Sequence, residues 1–283
     1  MARFFTRLID AQAFWARPLG DFVHGIVHWL FHRMKRVHNF LNGTWLGHPL
    51  HAVLTDVPVG VFTIVIILDV LNQRDAADIA LAFGILAMLA AAVAGYADYA
   101  DTDGTARVRA TVHSTLMVVS LVVYVVSLVI RLGKPTDPVL GIATSIVGYL
   151  FITAGAYVGG DVVYALGNMV DRHAWRSRGR KWVPLEAPAE IPDGVPTRAK
   201  GGNESLVLVR SGDTIMALHA TCAHAGGPLP EGKTVDGCIE CPWHGSRYDL
   251  RTGNLRRGPA VYDQPRYEVR RTPEGAWEAR RAS

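Results

Sequence analysis

Two short boxes near the end of the chain hold residues whose types and spacing suit metal chemistry. The first is Cys222-Ala-His224 and the second is Cys241-Pro-Trp-His244, with sixteen residues between them. Each box supplies one thiol and one imidazole and sits among Gly226, Gly227, Pro228, Pro242 and Gly245. A tetrahedral zinc site is one reading, since two Cys and two His are a common zinc set. Zinc fingers, however, pair Cys with Cys and His with His, whereas the two types are mixed in each half here. With 3 cysteines in 283 residues, a disulfide-stapled secreted scaffold is excluded.

The boxes, CAHAGGPL and CPWHGSRYDLRTG, resemble those of the Rieske family. In that family two Cys hold one iron of a [2Fe–2S] cluster and two His hold the other. The likeness covers roughly Val183 to Arg280. It implies that Cys222 and Cys241 bind one iron while His224 and His244 bind the other. It also implies that Gly226, Gly227 and Gly245 let backbone amides approach the sulfides, with Pro228 and Pro242 stiffening the loops. Imidazoles leave their iron less electron-rich, so the added electron settles there and the potential exceeds that of an all-Cys cluster.

Departures from the family pattern narrow the expectation. Quinol-oxidising Rieske proteins carry a further Cys in each box, joined as a disulfide. The matching positions here are Gly227 and Trp243, so the domain looks like the ferredoxin-type branch. Ser246 and Tyr248 match positions whose hydroxyls, in the high-potential branch, bond a sulfide and a Cys sulfur. The expected potential therefore lies inside the Rieske range but below the quinol-oxidising branch. Rieske oxygenases continue into a catalytic domain with a two-His, one-carboxylate iron site. Only 39 residues follow His244 and none is His, so no oxygenase is expected within this chain. No GxGxxG or P-loop pattern supports nucleotide chemistry either.

The elements that must position these boxes read as short strands. SLVLVR and TIMALHA form a predicted hairpin over Ser205–Ala220, and PRYEVRRT with AWEARR forms a second near the C-terminus. Cys238, outside both boxes, is expected to pack as a small apolar residue.

Upstream, the composition changes. Over the whole chain hydrophobic residues are 49% and charged residues 19%, less than the roughly 25% charge of an ordinary soluble domain. Four apolar stretches, His51–Leu71, Ala76–Tyr96, Thr111–Leu132 and Val139–Gly160, each approach the roughly 20 residues that span a bilayer. Short connectors, Asn72–Asp75 and Gly133–Pro138, make neighbours antiparallel. Ala87, Ala91 and Gly95 in the second span, and Gly155 and Gly159 in the fourth, read as close-packing ridges. The net charge of +4 lies wholly upstream of Pro184, beside these runs, which favours a membrane surface over nucleic acid.

Of the sixteen upstream Lys and Arg, thirteen fall on the side of the N-terminus, and Arg74, Arg131 and Lys134 on the other. By the positive-inside rule both termini are expected in the cytoplasm of a bacterial inner membrane protein. No cleavable leader pattern or adjacent arginine pair suggests export of the C-terminal domain. Asp21–Leu41 reads as an interfacial amphipathic helix carrying His24, His28 and His32 on one stripe.

The predicted architecture is multidomain: an all-α four-helix transmembrane bundle and a small all-β Rieske-type domain. Residues 1–50 form an amphipathic, interfacial segment, 51–161 the bundle, 162–202 a basic, Pro-rich linker and domain entry, and 203–283 the Rieske domain, whose resemblance begins near 183. The bundle resembles a family of bacterial four-span membrane proteins with a His-Pro-x-His opening, here His48-Pro49-Leu50-His51. His51 and His113 open the first and third spans at similar depth, with Asp56, Asp98 and Asp101 nearby. They read either as helix caps paired with Asp56 or Asp98, or as a haem b or quinone site that also draws on His48 and Asp56. The expected function is a membrane-anchored carrier of one electron; a quinone- or haem-linked oxidoreductase and a redox sensor are the alternatives. Its expected partners are redox donor and acceptor proteins or quinone, and the lipid bilayer, with no nucleic acid.

Overall fold

A computed structural model describes residues 2–133, 137–175 and 181–282. Part of the second connector (134–136) and of the basic stretch (176–180) lies outside the described residues. Among the described residues seven α-helices precede ten strands: α1 (Ala2–Asp10), α2 (Ala13–Arg33), α3 (Lys35–Leu41), α4 (Leu50–Val70), α5 (Arg74–Tyr99), α6 (Gly104–Leu132) and α7 (Val139–Gly160). The last continues as a π-helical turn to Ala165, and α4 to α7 are each long and apolar enough to cross a membrane. Chain contacts divide the molecule into residues 1–37 with 49–168, and 38–48 with 169–283.

Within the first unit, apolar side chains such as Val70, Ile79, Val129 and Leu150 face outward. Outward apolar faces suit a lipid solvent, in which helices pack through small residues instead of hydrophobic exclusion. Here the glycines serve as seats for rings. A Cβ on Gly84 would come within 2.6 Å of the Phe62 ring, and one on Gly148 within 2.9 Å of the Tyr124 ring. Phe62 and Tyr124 then stack on each other at 3.7 Å, so one aromatic pair ties the α4–α5 hairpin to the α6–α7 hairpin. At one end Arg131 reaches Asp69 at 2.9 Å and Asp78 at 3.1 Å, and also meets Ser127 and Ser145.

These contacts reveal an internal repeat. A shift of about 62 residues carries His51 to His113, Phe62 to Tyr124 and Asp69 to Arg131 in the first helix of each hairpin. A shift of about 64 carries Gly84 to Gly148 and Gly95 to Gly159 in the second helix. Each first-helix pair meets its counterpart: histidine near histidine, ring on ring, carboxylate on guanidinium. Pairs of equivalent residues meet in this way along a pseudo-twofold axis.

The helix expected over Asp21–Leu41 begins earlier, at Ala13, and breaks at Met34. Phe22, Ile26, Trp29 and Leu30 are exposed, as an interfacial helix requires. His24 Nε2 and His28 Nδ1 donate to the Ala100 carbonyl at 3.0 and 3.2 Å, and Tyr99 donates its hydroxyl to the Gly20 carbonyl. The three histidines stack along the helix.

In the second unit a closed six-stranded barrel has the order β1 (Val183–Glu186), β10 (Trp277–Arg281), β9 (Arg266–Arg271), β4 (Thr214–His219), β3 (Glu204–Ser211), β2 (Thr197–Gly201). A four-stranded sheet runs β5 (Lys233–Val235), β6 (Cys238–Glu240), β7 (Arg247–Asp249), β8 (Leu255–Arg257). Both predicted hairpins are present as β3–β4 and β9–β10. Strands β1 and β2, however, occupy part of the stretch read as linker. Pro184, taken as linker punctuation, faces Glu278 across β1–β10, and β1 closes the barrel between β10 and β2.

Candidate metal centre

The two Cys/His boxes fold into the same loop. In the first, Cys222 N–H donates to Gly227 O at 2.8 Å and Gly226 N–H to Cys222 O at 3.1 Å. In the second, Cys241 N–H donates to Ser246 O at 2.8 Å and Gly245 N–H to Cys241 O at 3.1 Å. Both loops turn back through a residue four positions after the Cys with φ of +86° or +76°, and both place Gly there. Equal loops therefore accept unequal spacings, Cys-x-His in one and Cys-x-x-His in the other.

The loops face each other closely. A Cβ on Gly227 would lie 2.7 Å from Cys241 Sγ and 3.2 Å from the Trp243 indole, so position 227 has no room for a side chain. Gly227 and Trp243, the two positions matched above to the other branch's extra Cys, thus lie side by side. The rings of His224 and His244 stand 5.0 Å apart at 90°. Cys222, Cys241 and His224 are buried, His244 is half-buried, and Trp243 is exposed beside it. Cys238 is buried in β6, three residues before Cys241.

Cys241 is pushed down to about 7 by a hydrogen bond from Cys222, helped by the N–H groups of Trp243 and His244 against the effect of burial. The same bond, with burial, pushes Cys222 well up. Amides converging on a sulfur suit an anion. Tyr248, fully buried, places its hydroxyl 3.1 Å from Cys222 Sγ. Ser246 Oγ accepts the Ala260 N–H at 3.0 Å, and its hydroxyl also bonds Tyr248.

Residues outside the boxes hold the first loop, and the sequence carried no mark of them. Gln264 donates Nε2–H to the His219 and Thr221 carbonyls and accepts the Ala223 N–H through Oε1 at 3.0 Å. His219 Nδ1 accepts the Thr221 N–H at 3.0 Å, so its proton sits on Nε2 and points to Glu204 at 3.1 Å. His173 Nε2 donates to the Thr221 carbonyl. Behind the second loop, Arg257 donates to the Gly245 carbonyl at 2.7 Å and to Glu240. Partial burial raises the Glu240 carboxyl, but Arg247 and Arg257 outweigh it and hold Glu240 below its usual range.

The two thiols bond each other, and the two imidazole rings face each other. Among the described residues no three His, Cys, Asp or Glu side chains gather as a single metal ion needs. Two thiols on one side and two imidazoles on the other match a centre with two metal atoms, and the donor set fits a [2Fe–2S] cluster.

In the bundle, His51 and His113 come together, with ring centroids 6.3 Å apart. They do not pair with Asp56 or Asp98: each bonds a backbone carbonyl of the neighbouring helix. Asp56 is exposed, and so is His48. Neither is brought to the histidine pair by any described contact.

A small β domain with a paired Cys/His centre, on a chain with four membrane-length helices, defines a class of membrane-attached iron–sulfur protein. The chain belongs to the Rieske [2Fe–2S] family through residues 181–268, and residues 47–172 match the model of a predicted membrane protein family, DUF2231. The anthranilate 1,2-dioxygenase ferredoxin subunit of Burkholderia cepacia is 34% identical over 90 residues, covering 32% of this chain and 83% of that protein. Ferredoxin CarAc of Metapseudomonas resinovorans is 33% identical over 90 residues, with 31% and 83% covered. By contrast, the chain spans 13% of apoptosis-inducing factor 3 from Mus musculus, at 28% identity. Among solved structures, the ferredoxin of carbazole 1,9a-dioxygenase from Nocardioides aromaticivorans IC177 is 30% identical, with 36% of this chain and 97% of that chain covered and a TM-score of 0.32.

Proposed function

We propose that the protein is a membrane-anchored one-electron carrier whose cluster is held by Cys222 and Cys241 on one iron and by His224 and His244 on the other. The observation that carries this reading is the pair of matching loops that set two thiols against two imidazoles. When bound, the cluster supplies a one-electron couple. The chain's residues do the rest. Gly227 lets the loops close, the Trp243 and His244 amides stabilise sulfur charge, and Gln264 holds the Cys222 loop in place. His244 and Trp243, on the open side, form the edge from which an electron passes to a redox protein or quinone. The four spans anchor this domain in a bacterial inner membrane with both termini in the cytoplasm, as the Lys/Arg count supports. A second reading, a haem- or quinone-linked oxidoreductase, draws on the His51–His113 pair.

Purified full-length protein is expected to contain two irons and two acid-labile sulfides per chain. On reduction it should show the EPR spectrum of a mixed Cys/His cluster, lost in Cys241→Ala. Zinc in place of iron and sulfide would overturn the assignment.

A further inference from the structure

The repeat in the bundle seats two histidines in equivalent ways. His51 of α4 lies against Gly95 of α5, where a Cβ would come within 2.8 Å of the ring; His113 of α6 lies against Gly159 of α7, within 2.9 Å. Each ring bonds through Nδ1 to the carbonyl one turn before its glycine, His51 to Ala91 at 2.9 Å and His113 to Gly155 at 2.8 Å. A carbonyl oxygen only accepts, so both protons sit on Nδ1 and each neutral ring keeps a lone pair on Nε2. Metal-binding histidines are fixed by the same bond, from the ring nitrogen that does not ligate to a backbone carbonyl. Among the described residues neither Nε2 has a hydrogen-bond partner, and both residues keep some accessible surface.

The spacing matches a shared metal. The ring centroids are 6.3 Å apart, with planes at 74°. Two metal–nitrogen bonds of about 2.0 Å, with half an imidazole at each end, span roughly 6 Å. The number of donors then selects the ligand. No third His, Cys, Asp or Glu joins the pair among the described residues, whereas a bare cation at a protein site takes about four ligands. Haem iron brings four nitrogens of its own and needs only two axial ones. The residues against the two rings are small, Ala91, Gly95, Gly155 and Gly159, on helices apolar enough to cross a membrane, which suits a porphyrin.

We propose that His51 and His113 are the two axial ligands, through Nε2, of a single b-type haem held between the α4–α5 and α6–α7 hairpins. The proposal does not rest on the cluster, which is read by a separate signal.

The test is a titration of detergent-purified full-length protein with hemin, followed optically and by EPR. The expected result is one hemin per chain with a six-coordinate, low-spin spectrum. Affinity should fall at least tenfold in His51→Ala and in His113→Ala while the reduced-cluster EPR signal stays. If either variant fails to fold, the wild-type spectrum alone decides. Failure of cluster-containing wild-type protein to bind hemin would overturn the proposal. So would high-spin binding, or binding that the double variant retains. Loss of the cluster signal alone would count against the electron-carrier reading and leave this one standing.

Discussion

At the scale of the residue, the centre is governed by what lies within a few ångströms of sulfur. Tyr248 is buried with its hydroxyl at 3.1 Å from Cys222 Sγ, and burial, the largest effect, pushes its own ionisation well up, so it stays a donor. A donor to a cluster sulfur favours the reduced, more negative state. Tyr248→Phe should therefore lower the midpoint. If the bond favours the reduced state by about 1 kcal/mol, the shift is roughly 40 mV for a one-electron couple. Ser246→Ala should move it in the same direction, because the Ser246 hydroxyl bonds Tyr248 and supports that donor. Protein-film voltammetry reads both, and unchanged midpoints would remove these hydroxyls from the account of the potential.

At the scale of the element, two helical hairpins are joined by contacts between equivalent residues. Asp69 is nearly fully buried, and Arg131 pairs it with help from Asp78, Ser127 and Ser145. Removing one member of a buried pair strands the other, at a cost of about 3–5 kcal/mol, whereas replacing both by apolar residues is often close to neutral. Arg131→Leu should therefore destabilise the bundle strongly in detergent, and Asp69→Leu/Arg131→Leu should recover much of the loss. Reversible denaturant unfolding monitored by circular dichroism checks this. A double variant as weak as the single would show that Arg131 acts mainly through Asp78 and the serines.

At the scale of the whole molecule, the bilayer is the solvent that reconciles exposed apolar helix faces with a folded chain. The excess of Lys and Arg favours the proposed orientation, which can be measured. In intact cells, Asn72→Cys should react with a membrane-impermeant maleimide from outside, and Asp103→Cys only after lysis. The native thiols are buried, so they add little background. The reverse pattern would invert the proposed topology.

The four membrane-length helices and the two Cys/His boxes were legible in the sequence for physical reasons. Crossing hydrocarbon requires about 20 apolar residues in a row, and few residue types offer sulfur or imidazole donors. Strands β1 and β2 were not legible, because Pro184 and its neighbours look like linker until β10 closes the barrel on them. Gln264, His219 and Glu204 were invisible too: they act on the Cys222 loop through backbone groups, and a carbonyl imposes no pattern on the residue that bonds it. The repeat went unseen because its shared positions are few, among them His51 and His113, Phe62 and Tyr124, Gly84 and Gly148, Gly95 and Gly159. The sequence by itself determined the composition of each site. Which residues meet was decided only by tertiary packing, since ring against glycine and loop against loop are contacts between segments far apart along the chain.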